Sequence, residues 1–312
     1  MTKHVAIIDM GSNTFHLLIR GIDASGEGFD LFSKQVHVQM AEGGLQTGEI
    51  LESAYYRGIK CLKEFKELID ELSVDHILAF GTSVFRDANN APDFLEEGTK
   101  ILENDIEVVS GEREAKLIWK GVMNAWKPNS KPYLILDIGG GSIELIHGSK
   151  NKIQHCKSFP LGGLRLFEAF HKSDPIGRVE TNELQNYLNY HLEPAKKMVE
   201  KLKPRTLIGA AGSFQTLSKM EHVSIKNQPF PEFSSCNNIA LENFYDLANL
   251  IKRSTRAETY EIPGVDDFRV PLMPVSVILI ETILGFGNFS EMAYSDYSMK
   301  EGMFFDYVER TF

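Results

Sequence analysis

Two aspartates occupy the same place in a pattern that occurs twice in the chain. Residues 7–14 (IIDMGSNT) align with residues 135–142 (ILDIGGGS), and in each copy an apolar run reaches an aspartate, a turn of small residues and a hydroxyl. Backbone N–H groups in such turns can cradle phosphate oxygens, because glycine has no Cβ to block them. Two strand-end carboxylates, Asp9 and Asp137, can hold Mg²⁺. The repeat therefore predicts metal-assisted phosphate chemistry.

Three further side chains are candidates for this chemistry, and each also has a purely structural interpretation. Glu144, in the return strand of the second copy, is either a carboxylate directed toward the turn or an exposed strand glutamate. Glu114 lies in the first turn of a predicted helix, where any carboxylate is favoured by the helix dipole. Arg86 can bind phosphate through its guanidinium, or it can form an ion pair with Asp87 or Glu112.

The elements around these residues indicate an α/β protein. Apolar runs at residues 5–9, 15–20, 75–80 and 106–109 predict strands, and apolar residues at steps of three and four over 51–72 predict a helix. A second helix is predicted over about 110–122. A third Gly-rich turn follows another apolar run at residues 207–213 (LIGAAGS). Alternating strands and helices are typical of α/β folds, and the repeat suggests two related halves that face each other.

Composition narrows the class of protein. The chain has 312 residues and a formal net charge of -10, which disfavours general nucleic-acid binding. No stretch has the roughly 20 apolar residues of a membrane span, and the N-terminus does not resemble a signal peptide, so we expect a cytoplasmic protein. The three cysteines form no CxxC motif, and no two histidines lie at helical spacing, which disfavours zinc-thiolate and helical zinc motifs.

The ordered motifs resemble the Ppx/GppA phosphatases, which comprise exopolyphosphatases and guanosine pentaphosphate phosphohydrolases. The resemblance rests on residues 9–14 (DMGSNT), 81–90 (GTSVFRDANN), 109–115 (VSGEREA), 137–144 (DIGGGSIE) and 159–166 (FPLGGLRL). It continues through residues 262–265 (IPGV) and 300–302 (KEG) and so covers nearly the whole chain.

This resemblance implies an actin-like fold of two ribonuclease-H-like domains, residues 1–126 and 127–312, with the active site in the interdomain cleft. The last helix, about 298–312, is expected to pack on the first domain. Glu114 would be the general base on the attacking water, and Asp9, Asp137 and Glu144 would hold Mg²⁺, or Mn²⁺ in its place. The implied phosphate-binding residues are Gly11, Ser12, Asn13, Thr14, Arg86, Gly139, Gly140, Gly141, Ser142, Gly212 and Ser213.

Three positions depart from the family pattern and bear on substrate preference. His16 stands where arginine is usual, Ala210 and Ala211 replace a threonine and a glycine or serine of the third turn, and Lys300 replaces an arginine. The chain also resembles a short form without the C-terminal helical region of longer members. From this we expect a weaker grip on long polyphosphate.

The expected function is Mg²⁺-dependent release of orthophosphate from polyphosphate, with guanosine pentaphosphate as the alternative substrate. Less favoured interpretations are a kinase or ATPase of the same fold, whose adenosine site would use the third turn, and a non-catalytic nucleotide sensor. The expected partners are the substrate and a second copy of the chain in a homodimer, with no nucleic-acid polymer and no membrane.

Overall fold

A computed structural model describes residues 2–23, 26–45, 47–128, 131–231 and 234–311. Its contacts divide the chain into two compact units. The first comprises residues 1–121, 139–141 and 299–312, and the second comprises residues 122–138 and 142–298. The predicted domain boundary between residues 126 and 127 lies just beyond the main segment of the first unit, which ends at residue 121.

The first unit is built on a five-stranded sheet. Its elements in chain order are β1 (Lys3–Met10), β2 (Phe15–Ile22), β3 (Gly28–Val36), α1 (Glu52–Glu71), β4 (His76–Gly81), α2 (Ser83–Asp87), α3 (Ala91–Leu102), β5 (Ile106–Val108) and α4 (Gly111–Ala125). The strand order is β3-β2-β1-β4-β5. The first three strands are antiparallel, and β4 and β5 continue parallel to β1.

The second unit repeats this arrangement. Its elements are β6 (Pro132–Ile138), β7 (Ile143–Ser149), β8 (Lys152–Phe159), α5 (Gly163–Phe170), α6 (Arg178–His191), α7 (Glu193–Leu202), β9 (Thr206–Ala210), α8 (Ala211–Met220), β10 (Cys236–Ile239), α9 (Leu241–Arg253), α10 (Arg256–Tyr260), α11 (Met273–Leu284) and β11 (Glu291–Ser295). The order β8-β7-β6-β9-β11 matches that of the first sheet, with β10 added antiparallel at the edge. The two sheets confirm the predicted α/β class with two ribonuclease-H-like units, the actin-like fold.

Burial explains why the central strands lack polar alternation. Residues Val5–Ile8 of β1 and Tyr133–Leu136 of β6 are completely buried, since they lie mid-sheet and are covered on both faces. The predicted strands and the two predicted helices are confirmed, with boundaries that move by at most three residues. Among the described residues, no helix is long and apolar enough to cross a membrane.

The C-terminal helix α12 (Met299–Thr311) belongs to the first unit. Lys120 of α4 bonds to Asp306 at 2.7 Å and Glu309 at 2.8 Å, and the guanidinium of Arg20 lies 4.3 Å from the centre of the Phe304 ring. Gly302, from the late KEG motif, permits this packing because a Cβ there would lie 1.8 Å from the carbonyl oxygen of Leu117. A close helix–helix approach thus explains this glycine.

We expect Gly302→Ala to destabilise the protein by about 3 kcal/mol, because the added methyl group meets rigid backbone. The melting temperature should fall by roughly 5–10 °C. Gly285→Ala is the control: a Cβ there would lie 3.3 Å from the nearest backbone oxygen, a tight contact that a shift of a few tenths of an ångström relieves, so its effect should be smaller. Equal melting temperatures for the two variants would contradict the proposed packing constraint.

His147 is a buried titratable group in the second sheet. It is 2 % exposed on β7, and neither ring nitrogen has a hydrogen-bond partner among the described residues. Burial, with a smaller contribution from neighbouring His155, lowers its pKa from 6.5 to about 4. The folded protein therefore holds a neutral imidazole at pH values where the unfolded chain binds a proton.

The sign of the resulting pH dependence follows from this depressed pKa. The stability associated with the neutral ring is fully present above pH 6.5 and is lost as the pH falls toward 4, by about 3 kcal/mol in total. We expect His147→Phe to flatten the dependence of the urea midpoint on pH between 7 and 4. An unchanged slope in this variant would show that other groups dominate acid sensitivity.

Candidate phosphate and metal site

The first Gly-rich turn joins β1 to β2 and is held tightly by backbone bonds. The N–H of Gly11 donates to the carbonyl oxygen of Thr14 at 2.9 Å, and a Cβ on Gly11 would lie 3.0 Å from that same oxygen. The N–H groups of Gln39 and Ala41 donate to the carbonyl oxygens of Asn13 and Ser12 at 2.8 and 3.0 Å. The turn is therefore fixed before any ligand binds.

The two hydroxyl groups of this turn, on Ser12 and Thr14, differ in their hydrogen-bond partners. The Oγ1 atom of Thr14 is 3.2 Å from Nδ1 of His37. The Oγ atom of Ser12 is buried and has no hydrogen-bond partner within the described residues. A buried hydroxyl without a partner is costly, so Ser12 is well suited to donate to a ligand oxygen.

The second Gly-rich turn contributes its three glycines, Gly139–Gly141, to the first unit. A Cβ on Gly140 would lie 3.2 Å from the Cβ of Asn13. A Cβ on Gly141 would lie 2.4 Å from Oγ of Ser83 and 2.7 Å from Oγ of Ser12. The structure therefore brings together the two turns that the sequence repeat identified, and glycine is required for this approach.

Arg86 and Glu114 form an ion pair beside the first turn. The Nη1 atom of Arg86 donates to Oε2 of Glu114 at 2.7 Å and to the carbonyl oxygen of Val109 at 2.8 Å. Glu114 is only 7 % exposed. The helix that carries Arg86 is tied to β1, because Thr82 donates through its N–H to the carbonyl oxygen of Met10 at 3.1 Å.

This pairing differs from the ion pairs with Asp87 or Glu112 that the sequence suggested for Arg86. Its carboxylate partner is neither Asp87 nor Glu112, and Glu112 pairs instead with Lys116 one turn along α4 at 2.7 Å. The reason is geometric: Glu112 lies on the exposed face of α4, whereas Glu114 lies on the face that meets α2 and the end of β5.

Asp137 and Glu144 are directly opposite each other on neighbouring strands of the second sheet. Asp137 accepts a hydrogen bond from Ser298 at 2.5 Å, and Glu144 accepts one from Ser158 at 2.6 Å. Glu144 is 1 % exposed, so its interpretation as an exposed strand glutamate was wrong. Its sheet face is covered, and alternation with Ile143 and Leu145 did not indicate solvent because both faces of β7 are buried.

The third metal candidate, Asp9, lies at the end of β1 in the first unit and pairs in register with His16 of β2. Within the described residues, no group of three or more His, Cys, Asp or Glu side chains is arranged to hold a metal ion. The three-carboxylate metal set therefore stays a prediction. His16, which departs from the family pattern, lies directly across from Asp9 in the pairing of β1 with β2.

The third Gly-rich turn connects β9 to α8. Ala211 adopts φ +65°, a left-handed conformation that costs an alanine about 1–2 kcal/mol. The Oγ atom of Ser213 donates to Oγ of Ser276 at 3.1 Å. Gly212 lies against a guanidinium, since a Cβ there would be 1.8 Å from Nη2 of Arg269.

Arg269 is a candidate that the sequence analysis missed. Its Nε atom is buried and has no hydrogen-bond partner among the described residues. Desolvation lowers the pKa of the guanidinium, and Asp266, Asp137 and Tyr294 oppose that shift. Its position between Asp267 and Pro271, shortly after the IPGV motif, was the available signal, but only the fold places it on the third turn.

A two-unit actin-like fold with paired Gly-rich turns, a buried carboxylate pair and a buried glutamate beside an arginine defines a class of phosphate-binding proteins. Residues 22–311 match the model of the Ppx/GppA phosphatase family, and the chain belongs to that family.

Solved structures support this assignment at the level of the whole chain. An exopolyphosphatase from Cytophaga hutchinsonii is 34% identical, with a TM-score of 0.94, and the match covers 99% of this chain and 98% of that one. A Ppx/GppA family member from Aquifex aeolicus is 25% identical, with a TM-score of 0.83 and 99% of both chains covered.

Two relatives are named for different activities. A guanosine-5'-triphosphate,3'-diphosphate pyrophosphatase from Aliivibrio fischeri is 27% identical over 310 residues, which cover 99% of this chain and 60% of the relative. Exopolyphosphatase 1 from Mycobacterium tuberculosis is 25% identical over 300 residues, with 96% of this chain and 86% of the relative covered. The chain thus spans about three fifths of the length of the Aliivibrio relative.

Proposed function

We propose that this chain is an exopolyphosphatase that hydrolyses terminal phosphoanhydride bonds and releases orthophosphate. The observation that carries the proposal is the convergence, within the first unit, of two Gly-rich turns beside the Arg86–Glu114 pair. Turn N–H groups and the Ser12 hydroxyl would hold phosphate oxygens, which need positioning and charge neutralisation more than covalent chemistry.

Glu114 would act as the general base. Its carboxylate would orient a water molecule and accept its proton as the oxygen attacks the terminal phosphorus. Arg86, 2.7 Å from Glu114, holds that carboxylate in place and can also stabilise negative charge on the phosphoryl group. This assignment favours hydrolysis over phosphate transfer to a second substrate, because it provides a base for water.

Mg²⁺ is the cofactor that we propose, with Mn²⁺ as a substitute. The donor set fits a hard cation, since Asp137 and Glu144 present buried carboxylate oxygens on one sheet face. The third ligand, Asp9, is assigned from the sequence motif. When bound, the ion would neutralise charge on the phosphate chain and so help a protein of net charge -10 to hold a polyanion.

A guanosine pentaphosphate phosphohydrolase is the second candidate, and the match to the Aliivibrio relative over 99% of this chain favours it. Both reactions cleave a terminal phosphoanhydride with the same groups. The cytoplasmic location and the homodimer expected from the sequence stay predictions.

Phosphate release from short polyphosphate, long polyphosphate and guanosine pentaphosphate, each with and without Mg²⁺, tests the proposal. We expect Mg²⁺-dependent release, faster from polyphosphate than from the nucleotide. Faster release from the nucleotide would select the second candidate. No release from any of the three would contradict both, and ATP-dependent transfer or ligand binding would then be tested.

A further inference from the structure

A pair of histidines lies in the second sheet, three residues along β7 and β8 from Glu144 and Ser158. His147 of β7 and His155 of β8 are direct cross-strand partners. Their ring centres are 6.2 Å apart and their planes are inclined by 49°. The two residues are eight positions apart in sequence, so helical spacing rules could not detect them; the antiparallel β7–β8 pairing creates the pair.

His147 is the unusual member of this pair. Leu134 lies opposite it on β6, and helix α7 packs against β7. Both of its ring nitrogens are buried without a hydrogen-bond partner within the described part of the chain, although buried polar atoms normally find one. Both nitrogens of this imidazole thus keep their hydrogen-bonding and metal-ligating capacity within the described residues.

We propose that His147 and His155 form a binding site for a transition-metal ion, with Zn²⁺ as its probe. Imidazole nitrogen is a good ligand for Zn²⁺, Cu²⁺ and Ni²⁺ and a poor one for Mg²⁺. Two Zn–N bonds of about 2 Å at a tetrahedral angle place ring centres roughly 5–6 Å apart. The observed 6.2 Å is therefore bridged by a small side-chain movement, and water completes the coordination.

The chemistry of His147 suits this role near neutral pH. A metal ligand must be deprotonated, and the pKa of this ring lies far below 7, so no proton has to be displaced from it. His155 is half-buried and provides the open side of the site.

A bound ion would join β7 to β8. These strands carry Glu144 and its hydrogen-bond donor Ser158, three residues beyond each histidine toward the same end of the strand pair. Metal binding at the histidines would therefore stiffen the strand pair that positions a proposed Mg²⁺ ligand. The two sites differ in chemistry, so one can be saturated with Mg²⁺ while the other is probed with Zn²⁺.

Calorimetric titration of the full chain with Zn²⁺, in a background of saturating Mg²⁺ and without substrate, tests the inference. We expect one equivalent to bind and to raise the melting temperature, because the ion binds only the folded pair. His155→Gln and His147→Phe should each weaken Zn²⁺ binding at least about tenfold, through loss of one of two Zn–N bonds. We expect His147→Phe to keep the fold, because it replaces a buried ring whose nitrogens have no hydrogen-bond partner among the described residues by an apolar ring.

Two controls exclude other zinc ligands. His191→Gln changes an exposed histidine whose ring centre lies 4.2 Å from that of Tyr187, and Cys156→Ser changes the thiol next to His155 in sequence; neither should alter the affinity. Absence of saturable one-to-one binding, or full affinity in His155→Gln or folded His147→Phe, would overturn the proposal. Loss of affinity in Cys156→Ser would do so as well, because the thiol would then be the ligand.

Discussion

Replacement of Glu114 by glutamine is expected to lower the rate of phosphate release by about 10²–10⁴-fold, the range found when a general base is removed. Glutamine keeps the shape of the side chain and can still accept the hydrogen bond from Arg86, but it cannot accept a proton from water. The fold should persist, and KM should change less than kcat, because the turns that hold phosphate are untouched. Steady-state phosphate release with saturating Mg²⁺ measures the effect.

Glu112→Gln is the matched control for this experiment. Glu112 lies two residues earlier on the same helix, and its ion pair with Lys116 is solvent-exposed. Such pairs contribute little, so activity and melting temperature should stay close to those of the unmodified protein. Equal losses in both variants would indicate damage to α4, and full activity in Glu114→Gln would remove Glu114 from the mechanism.

Replacement of Glu144 by glutamine is expected to lower activity by about 10²–10³-fold, since a metal ion contributes several kcal/mol of charge stabilisation to phosphoryl chemistry. Calorimetry should show weaker Mg²⁺ binding. Stability without metal should be equal or higher, because like charges directly opposite each other, as at Asp137 and Glu144, are destabilising. This combination separates a lost ligand from a damaged fold.

Ser158→Ala is the control for Glu144. It removes the hydroxyl that donates to the carboxylate at 2.6 Å and leaves the carboxylate in place. Loss of such a supporting bond costs about 10–100-fold at most, less than the ligand itself. If Glu144→Gln binds Mg²⁺ as well as the unmodified protein, Glu144 is not a metal ligand and the proposed set is wrong.

The fold was largely predictable because its signals are local. The apolar runs that became β1, β2 and β4 are short and end at glycines or polar turns, and the repeat of residues 7–14 at 135–142 anticipated two sheets of the same topology. The predictions failed where a strand is buried on both faces, because its residues then do not alternate between apolar and polar and the pattern cannot separate buried from exposed positions. Glu144 is the example: Ile143 and Leu145 beside it are apolar and buried, and Glu144 is itself buried, where it accepts a hydrogen bond from Ser158.

The types of residue in the site could be predicted from the sequence, but the contacts between them could be predicted less well. Gly11, Ser12 and Gly141 were identified from the repeat, and the structure brings their turns together. The ion pair between Arg86 and Glu114 was not anticipated, because 28 positions separate the two residues and only the packing of α2 against α4 unites them. Arg269 was missed for the same reason, since it reaches Gly212 from a distant segment.

The sequence by itself determined the α/β class, the two Gly-rich turns and the acidic residues beside them, because strand periodicity and glycine requirements act between neighbours in the chain. Tertiary structure decided which of these groups are buried, which carboxylate Arg86 holds, why Gly302 must lack a side chain and that His147 meets His155. Most of these properties depend on contacts between residues far apart in sequence, and the histidine pair depends on the antiparallel pairing of β7 with β8. The energies of burial and ion pairing arise only when folding removes water from both partners.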